Sequence, residues 1–208
     1  MKYGNRGNFS EQYGFGFNEV EPLYSATRRA LSTSERFLIN TLIKHSKMRR
    51  QKQVTYFTAR RWRTNEKNRQ IIATRVSKRE PSREFIDLVG SELSNLVAEV
   101  IGTKNFDCVV PLPSGSSKSG GFATQIAQSI AMQTGLEFVS AFGRIQTSDN
   151  SSHPRKNLTR SRMRLEKIPG PRVLLVDDVA TSGTHMLEAA TMLRAHTQST
   201  FCVAWIGR

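Results

Sequence analysis

Two adjacent carboxylates stand directly before a short turn rich in hydroxyl groups. Asp177 and Asp178 follow the apolar run VLLV, and the turn that comes next contains Thr181, Ser182, Gly183 and Thr184. Carboxylates at the carboxyl end of a strand in an open α/β sheet face its ligand crevice, where they can accept hydrogen bonds from a sugar. Backbone amides and hydroxyls at a helix N-terminus can bind a phosphate. The segment therefore predicts a site for ribose 5-phosphate.

The segment Val173–Met186, VLLVDDVATSGTHM, resembles the motif with which type I phosphoribosyltransferases bind 5-phospho-α-D-ribosyl 1-diphosphate (PRPP). The resemblance implies that Asp177 and Asp178 are the catalytic carboxylates and hold the ribose 2′ and 3′ hydroxyls. It assigns the 5-phosphate to Ala180, Thr181, Ser182, Gly183 and Thr184. The alternative is a buried strand that ends in an ordinary capped turn.

A second feature of that family is a diphosphate-binding loop after the first strand of the core. The segment VVPLPSGSSKSGG, Val109–Gly121, has the matching position. The resemblance implies diphosphate binding by Ser114, Gly115, Ser116, Ser117 and Lys118, whose amides, hydroxyls and ammonium suit that anion. A flexible Ser/Gly linker is the alternative.

The third feature is a flexible loop between the other two. The segment 143–170 is polar and basic, and it is longer than an ordinary connection between two elements of a compact domain. The resemblance implies that basic side chains of this loop, Arg144, Arg155, Lys156 and Arg160 among them, close over the diphosphate. Solvated surface charge is the alternative for each of them.

Within the family the order of motifs is most similar to that of ComF-like proteins, over residues 107–184. The cysteine-rich zinc knuckle of many ComF relatives has no counterpart here, and Ser182 replaces the usual second threonine of the turn. Purine salvage enzymes usually have an acidic residue where Thr181 stands, which makes purine salvage less favoured.

The elements around these motifs alternate between strand and helix. Strands are predicted at 107–112, 136–140, 173–178 and 200–206, and helices after Pro81, at 122–134 and at 184–195. Such alternation predicts an α/β domain with a central parallel sheet flanked by helices. The resemblance implies the Rossmann-like type I phosphoribosyltransferase fold, with the core at 81–208 and a basic N-terminal extension or hood at 1–80.

The charge is concentrated in the extension. Residues 1–80 contain 18 Lys/Arg and 6 Asp/Glu, against 13 and 11 in residues 81–208. A helix is predicted after Ser34, with Lys44 to Lys47 in its last turn, and then two strands at VTYFTARRW and IIATRV. Basic residues at 44–79 interleave with Tyr56, Phe57 and Trp62, which suits nucleic acid. Alternatively, the aromatic rings fill a small core.

The predicted activity is transfer of 5-phosphoribosyl from PRPP to a nucleobase or an amine, with release of diphosphate. Mg²⁺ is the implied cofactor, held by substrate oxygens and waters without direct protein ligands. Two other functions stay open: PRPP-dependent modification of nucleic acid, and a non-catalytic PRPP-binding regulator associated with nucleic acid. Dinucleotide and ATP sites are disfavoured, because neither GxGxxG nor GxxxxGK[ST] follows a strand.

The two cysteines, Cys108 and Cys202, lie in apolar runs without metal-ligand spacing and are expected to be reduced core residues. No apolar run reaches the length of about 18 residues that a membrane span requires. A cytoplasmic protein that forms no membrane contact is expected, and a homodimer is a candidate assembly.

Overall fold

The computed structural model describes residues 30–113, 121–143 and 163–208. Its helices are α1 (Thr33–Thr41), α2 (Lys67–Ser77), α3 (Arg83–Val100), α4 (Phe122–Thr134) and α5 (Thr184–Leu193). Its strands are β1 (Ile43–Gln51), β2 (Val54–Arg61), β3 (Cys108–Pro111), β4 (Glu137–Phe138), β5 (Arg172–Ala180) and β6 (Ser199–Gly207). Short 3-10 turns at Thr64–Glu66 and Thr103–Asn105 precede α2 and β3.

The six strands form one sheet in the order β1-β2-β6-β5-β3-β4. Only β1 and β2 pair in antiparallel fashion; the other neighbours are parallel. The carboxyl ends of β2, β6, β5 and β3 therefore lie at the same edge of the sheet. This arrangement confirms the predicted α/β class and the predicted parallel sheet.

Helices cover both faces of the sheet, as predicted. On one face Leu174, Val176 and Trp205 pack in a cluster that includes residues of α1, α3 and α4. On the other face Leu175 and Ala204 pack with α5. Alternate residues of a strand face opposite sides, so β5 and β6 supply both cores.

Both cysteines are free and fully buried, which confirms their prediction as core residues. Burial raises the pKa of the Cys202 thiol to about 12, with a further contribution from the nearby charge of Asp177. Within the described ranges, no helix combines the length and the apolar character needed to cross a membrane.

Helix α3 forms where the sequence predicts it. Ser82 caps it, since its hydroxyl accepts a hydrogen bond from Phe85 N–H. Gly90 lies inside the helix because α4 passes close to it: a Cβ at this position would be 2.7 Å from Ser129 Oγ. The glycine thus permits the close packing of α3 on α4.

The helix predicted after Ser34, over residues 35–47, is confirmed in its first part and wrong in its last part. Helix α1 is capped by Ser32 and ends at Thr41, and Lys44–Lys47 belong to β1 rather than to a last helical turn. Residues 43–51 extend because they pair with β2, and Lys52 adopts a positive φ of 52° in the turn between the strands. This pairing depends on a second strand, which helical periodicity does not reveal.

The strand predicted at IIATRV is also wrong, because these residues lie in α2. The buried positions of α2 are small or polar, namely Gln70, Ala73, Thr74 and Ser77. They have helical spacing, whereas the apolar residues Ile72 and Val76 are exposed by 60% and 52%. The hydrophobic pattern of this segment therefore does not indicate its buried face.

The strand β2 is anchored to the core through a buried arginine. Arg60 is 1% exposed, pairs with Glu92 of α3 through two nitrogens and lies 5.9 Å from the ring of Trp205. Trp205 Nε1 donates to the same carboxylate at 2.9 Å. The hairpin of residues 43–61 and the strands after residue 81 thus share one sheet, while the domain division at residue 80 stays a prediction.

Candidate functional site

The two carboxylates lie at the edge where the parallel strands end. Val176 pairs with Pro111, the last residue of β3, and Asp177 pairs with Ala204 of β6. Asp177 is partly buried, and Asp178 is 6% exposed. Since consecutive strand residues alternate between faces, the two side chains flank the end of β5 from opposite sides.

The pKa of Asp177 is raised to about 7. Burial is the main cause, and the negative charge of Asp178 adds to it. The positive charge of Lys78 and the N–H groups of Asp178 and Val179 oppose the rise; Asp178 N donates to Asp177 Oδ1 at 2.8 Å. Asp177 therefore changes its charge near neutral pH, which is common for carboxylates at functional sites.

Replacing Asp177 with asparagine is expected to stabilise the ligand-free protein, more at pH 8 than at pH 5. The folded pKa of about 7 exceeds the ordinary value of 3.8, so folding stability falls as pH rises between these values. The gain at pH 8 is at most on the order of 4 kcal/mol, since the pKa is raised by about three units and one unit corresponds to about 1.4 kcal/mol. Urea denaturation at both pH values measures it.

Asp107→Asn is the matched control, with the opposite sign. Hydrogen bonds from Arg172 hold the pKa of Asp107 below its usual value, so ionisation of this carboxylate favours folding. Its replacement should lower the free energy of unfolding at pH 8. Equal unfolding free energies for Asp177→Asn and the wild type at pH 8 would contradict the raised pKa.

The turn after β5 exposes several hydrogen-bond donors. Thr181, Ser182 and Thr184 are exposed, and the hydroxyls of Ser182 and Thr184 lie 2.9 Å apart. Helix α5 begins at Thr184, so its first N–H groups, which lack partners within the helix, point toward this turn. Hydroxyls and a positive helix end together suit a phosphate group.

Gly183 gives the turn its shape. Its φ is +73°, a conformation that favours glycine, and a Cβ at this position would lie 2.6 Å from the ring of Tyr56. The same Cβ would lie 3.2 Å from Cβ of Gln51. The hairpin of β1 and β2 thus packs directly against the turn, a contact that the sequence does not indicate.

The structure brings together seven of the predicted site residues. They occupy one strand–turn–helix unit: Asp177, Asp178, Ala180, Thr181, Ser182, Gly183 and Thr184. The predicted diphosphate residues Ser114, Gly115, Ser116, Ser117 and Lys118 lie outside the described residues, as do Arg144, Arg155, Lys156 and Arg160 of the loop. The start of the diphosphate segment is at the same edge, because Leu112 N donates to Val176 O at 2.8 Å.

One residue at the site was missed by the sequence reasoning. Lys78 Nζ lies 2.5 Å from Asp178 Oδ2, in an ion pair between residues 100 positions apart. Lys78 belongs to a basic segment in which no spacing distinguishes it from its neighbours. Only the tertiary structure, which brings the residue after α2 beside the end of β5, could identify it.

The aromatic side chains of the basic segment are largely occupied by packing. Tyr56 is 3% exposed, Phe57 stacks on Phe201 with a centroid distance of 5.1 Å, and Trp62 packs against the larger core cluster. These contacts favour the interpretation in which the rings fill a core. Stacking of Tyr56 on a nucleic-acid base would require it to leave that core.

In the part of the chain that the structure describes, no three His, Cys, Asp or Glu side chains cluster closely enough to hold a metal ion. The model of the family called phosphoribosyl transferase domain matches residues 80–204. The chain belongs to this family. The matched segment includes β3 to β5, the turn and α5. Together with β1 and β2, which precede it in the chain, its strands form the six-stranded sheet flanked by helices, and this sheet has the type I phosphoribosyltransferase fold.

Three solved structures are similar to this family member at low identity. UMP synthase of Leishmania donovani is 19% identical with a TM-score of 0.39, over 60% of this chain and 22% of that protein. Orotate phosphoribosyltransferase of Aeropyrum pernix is 15% identical with a TM-score of 0.37, over 84% and 81%. Xanthine-guanine-hypoxanthine phosphoribosyltransferase of Helicobacter pylori is 14% identical with a TM-score of 0.41, over 61% and 76%. No curated protein matches the chain.

Proposed function

We propose that this phosphoribosyl transferase domain binds PRPP with Mg²⁺ and transfers its 5-phosphoribosyl group to a nucleobase or an amine, releasing diphosphate. The observation that carries the proposal is the unit at the end of β5. There two carboxylates precede an exposed hydroxyl-lined turn at the start of α5, within the segment that matches the family. The closer relation to ComF-like proteins rests on the resemblance of motifs and is part of the proposal.

Different residues of the unit would bind different parts of the substrate. Asp177 and Asp178 would accept hydrogen bonds from the ribose 2′ and 3′ hydroxyls, and residues 180–184 would donate to the 5-phosphate. Hydrogen bonds to charged groups are the stronger kind, so ionised carboxylates would bind the ribose best. Holding the ribose at both ends would orient C1 toward the acceptor.

The leaving diphosphate would be bound by the segments that precede and follow α4. Ser114–Lys118 would donate to it, and Arg144, Arg155, Lys156 and Arg160 would close over it. Mg²⁺ would neutralise part of the diphosphate charge while PRPP oxygens and waters hold it, which suits a site with few acidic side chains. Stabilising the charge of the leaving group is the main catalytic requirement of this displacement.

Binding and turnover test the proposal in one set of measurements. Calorimetry with PRPP, with and without Mg²⁺, is expected to show binding that Mg²⁺ strengthens. Diphosphate release is then measured with nucleobases, amines and short nucleic acids as acceptors. Release with a free base or an amine supports the transferase, release with a polymer supports nucleic-acid modification, and binding without any release supports a regulator. No PRPP binding would reject the ligand.

Nucleic acid is a second proposed partner, because basic side chains cover the outermost strand. Lys44, Lys47 and Arg50 are exposed on β1, and we call these three residues the basic edge. Lys44 is 76% exposed, and its ammonium also lies 3.8 Å from Glu92 Oε1. With the neighbouring aromatic rings packed inside, the basic edge would contact phosphates and would read no base sequence.

Charge reversal of the basic edge is expected to weaken RNA or DNA binding and to flatten its salt dependence. Each lost phosphate contact should reduce the magnitude of the slope of log K against log salt by about 0.7 to 0.9, so three should reduce it by about 2 to 3. Fluorescence anisotropy over a salt series measures the slope. Replacing Lys104, Lys167 and Arg194 with glutamate provides the control with equal charge. Equal slopes for both variants would show that the basic edge does not bind nucleic acid.

A homodimer and a cytoplasmic location stay predictions.

A further inference from the structure

Lys78 contacts the proposed ribose site from outside the segment that defines the family. Its ammonium lies 2.5 Å from Asp178 Oδ2, and the family match begins at residue 80. The side chain of Asp178 is 8% exposed and that of Lys78 is 32% exposed. The ion pair is therefore enclosed on the carboxylate side and reaches solvent on the ammonium side.

The backbone that carries Lys78 is held at both ends. Lys78 N donates to Thr74 O at the end of α2. Four residues later, Ser82 N donates to Glu35 Oε1 at 2.7 Å, and Glu35 Oε2 also accepts from Ser32 N. Because Glu35 is fully buried, it fixes the start of α3 against the start of α1. Lys78 thus extends toward Asp178 from a short connection between two packed helices.

The charge of Lys78 suits a ligand that carries several negative charges. Two adjacent carboxylates would repel PRPP, whereas Lys78 neutralises one of them. The ion pair involves Oδ2 of Asp178, so Oδ1 would be the oxygen that accepts a hydrogen bond from a ribose hydroxyl. A carboxylate fixed in this way loses less rotational freedom when a ribose binds.

We propose that Lys78 is a positioning residue of the PRPP site, which orients Asp178 for the ribose hydroxyls and offsets its charge. The inference rests on the proposed function, since it assigns a task to Lys78 only if PRPP is the ligand. It makes the extension before residue 80 a functional part of the site. The ion pair between the α2–α3 connection and β5 would then set the affinity for the ribose.

The neighbouring carboxylate supplies an independent readout. Burial and the charge of Asp178 raise the pKa of Asp177, while Lys78 and the N–H groups of Asp178 and Val179 lower it. Cys202 also lies close enough for Asp177 to affect the pKa of its thiol. Removing the charge of Lys78 should therefore shift the acidic limb of PRPP binding to higher pH.

Calorimetry of Lys78→Met and Lys78→Arg between pH 6 and pH 9 tests the proposal. Lys78→Met is expected to weaken PRPP binding by about 10-fold or more at neutral pH, comparable with the loss of one hydrogen bond to a charged group. The pH below which PRPP binding weakens should be higher in Lys78→Met than in the wild type, and it should return to the wild-type value in Lys78→Arg. Lys67→Met, at the other end of α2, serves as the control and should bind like the wild type. Thermal unfolding verifies that each variant is folded.

Ribose 5-phosphate separates positioning from direct diphosphate contact, because it has the ribose and the 5-phosphate without the diphosphate. Equal fold-losses for PRPP and ribose 5-phosphate support positioning through Asp178, and a loss confined to PRPP would overturn it. If Lys78→Met bound PRPP with wild-type affinity and with the same pH dependence as the wild type, the proposal would also be overturned. Failure of the wild type to bind PRPP would reject the proposed function itself, which is a different outcome.

Discussion

Replacing Asp177 and Asp178 together with asparagine is expected to weaken PRPP binding by about 100-fold or more. Each carboxylate would supply a hydrogen bond to a charged acceptor, a contact of about 1.5 to 3 kcal/mol, so the pair should contribute about 3 to 6 kcal/mol. Asparagine keeps the size of each side chain but removes its charge. Calorimetry with PRPP at pH 8, which is above the pKa of about 7 of Asp177, measures the loss.

The double variant is expected to remain folded, because loss of the buried charge of Asp177 offsets the ion pair that Lys78 loses. Asp107→Asn is again the matched control, since Asp107 bonds with Arg172 at the opposite end of β5. That replacement should leave the affinity for PRPP unchanged. If the Asp177/Asp178 variant bound PRPP as the wild type does, the carboxylates would have no part in ribose binding.

Replacing Glu92 with leucine is expected to lower the free energy of unfolding by about 3 to 5 kcal/mol, the usual effect of removing one partner of a buried ion pair. Arg60, 1% exposed, would keep its charge without a carboxylate, and Trp205 would lose the acceptor of its N–H. Urea denaturation with a constant m-value measures the change. The hairpin of β1 and β2 should loosen first, because Arg60 joins it to α3.

Two variants make this prediction specific. Arg60→Met combined with Glu92→Leu should recover part of the loss, since no unpaired charge remains buried. Glu66→Gln, which breaks an exposed pair with Arg69, should cost less than about 1 kcal/mol. A loss below 1 kcal/mol for Glu92→Leu, or a double variant no more stable than the single one, would show that Arg60 and Glu92 do not anchor the hairpin.

The ion pair of Arg60 and Glu92 also predicts that folding stability depends on pH. Burial alone would raise the pKa of Glu92, but hydrogen bonds from Arg60 and Trp205 bring it below the ordinary 4.5. Because the pKa of Glu92 is lower in the folded protein than in the unfolded chain, its ionised carboxylate stabilises the fold above pH 4.5. This stabilisation disappears as the pH falls through the pKa of the folded protein. The difference in stability between the wild type and Glu92→Leu should therefore shrink in acid.

The site unit was predictable because its signals are local. An apolar run, two carboxylates, a glycine and hydroxyl residues follow one another within the 13 residues from Val173 to His185, and each part has one favoured structure. A strand buried on both faces is continuously apolar, and the glycine supplies the positive φ of the turn. The same holds for α3, where Ser82 and apolar residues at helical spacing mark the start and the buried face.

The segment before residue 80 was not predictable in the same way. Its strand β1 forms through pairing with β2, and its helix α2 buries Gln70 and Thr74 while exposing Ile72. Arg60 belongs to a run of basic residues that are typical of a solvated surface, yet it is fully enclosed. Nothing in the composition distinguishes it from Arg61, which is exposed.

By itself, then, the sequence determined the α/β class, the positions of the core strands and helices, and the carboxylates and the turn of the candidate site. Only the tertiary structure decided that the basic hairpin joins the sheet, that Tyr56 packs against Gly183, and that Lys78 pairs with Asp178. The physical reason is the separation along the chain between the residues that interact. Capping, periodicity and turn conformation depend on residues within a few positions, whereas an ion pair across 100 residues depends on how the helices pack beside the sheet.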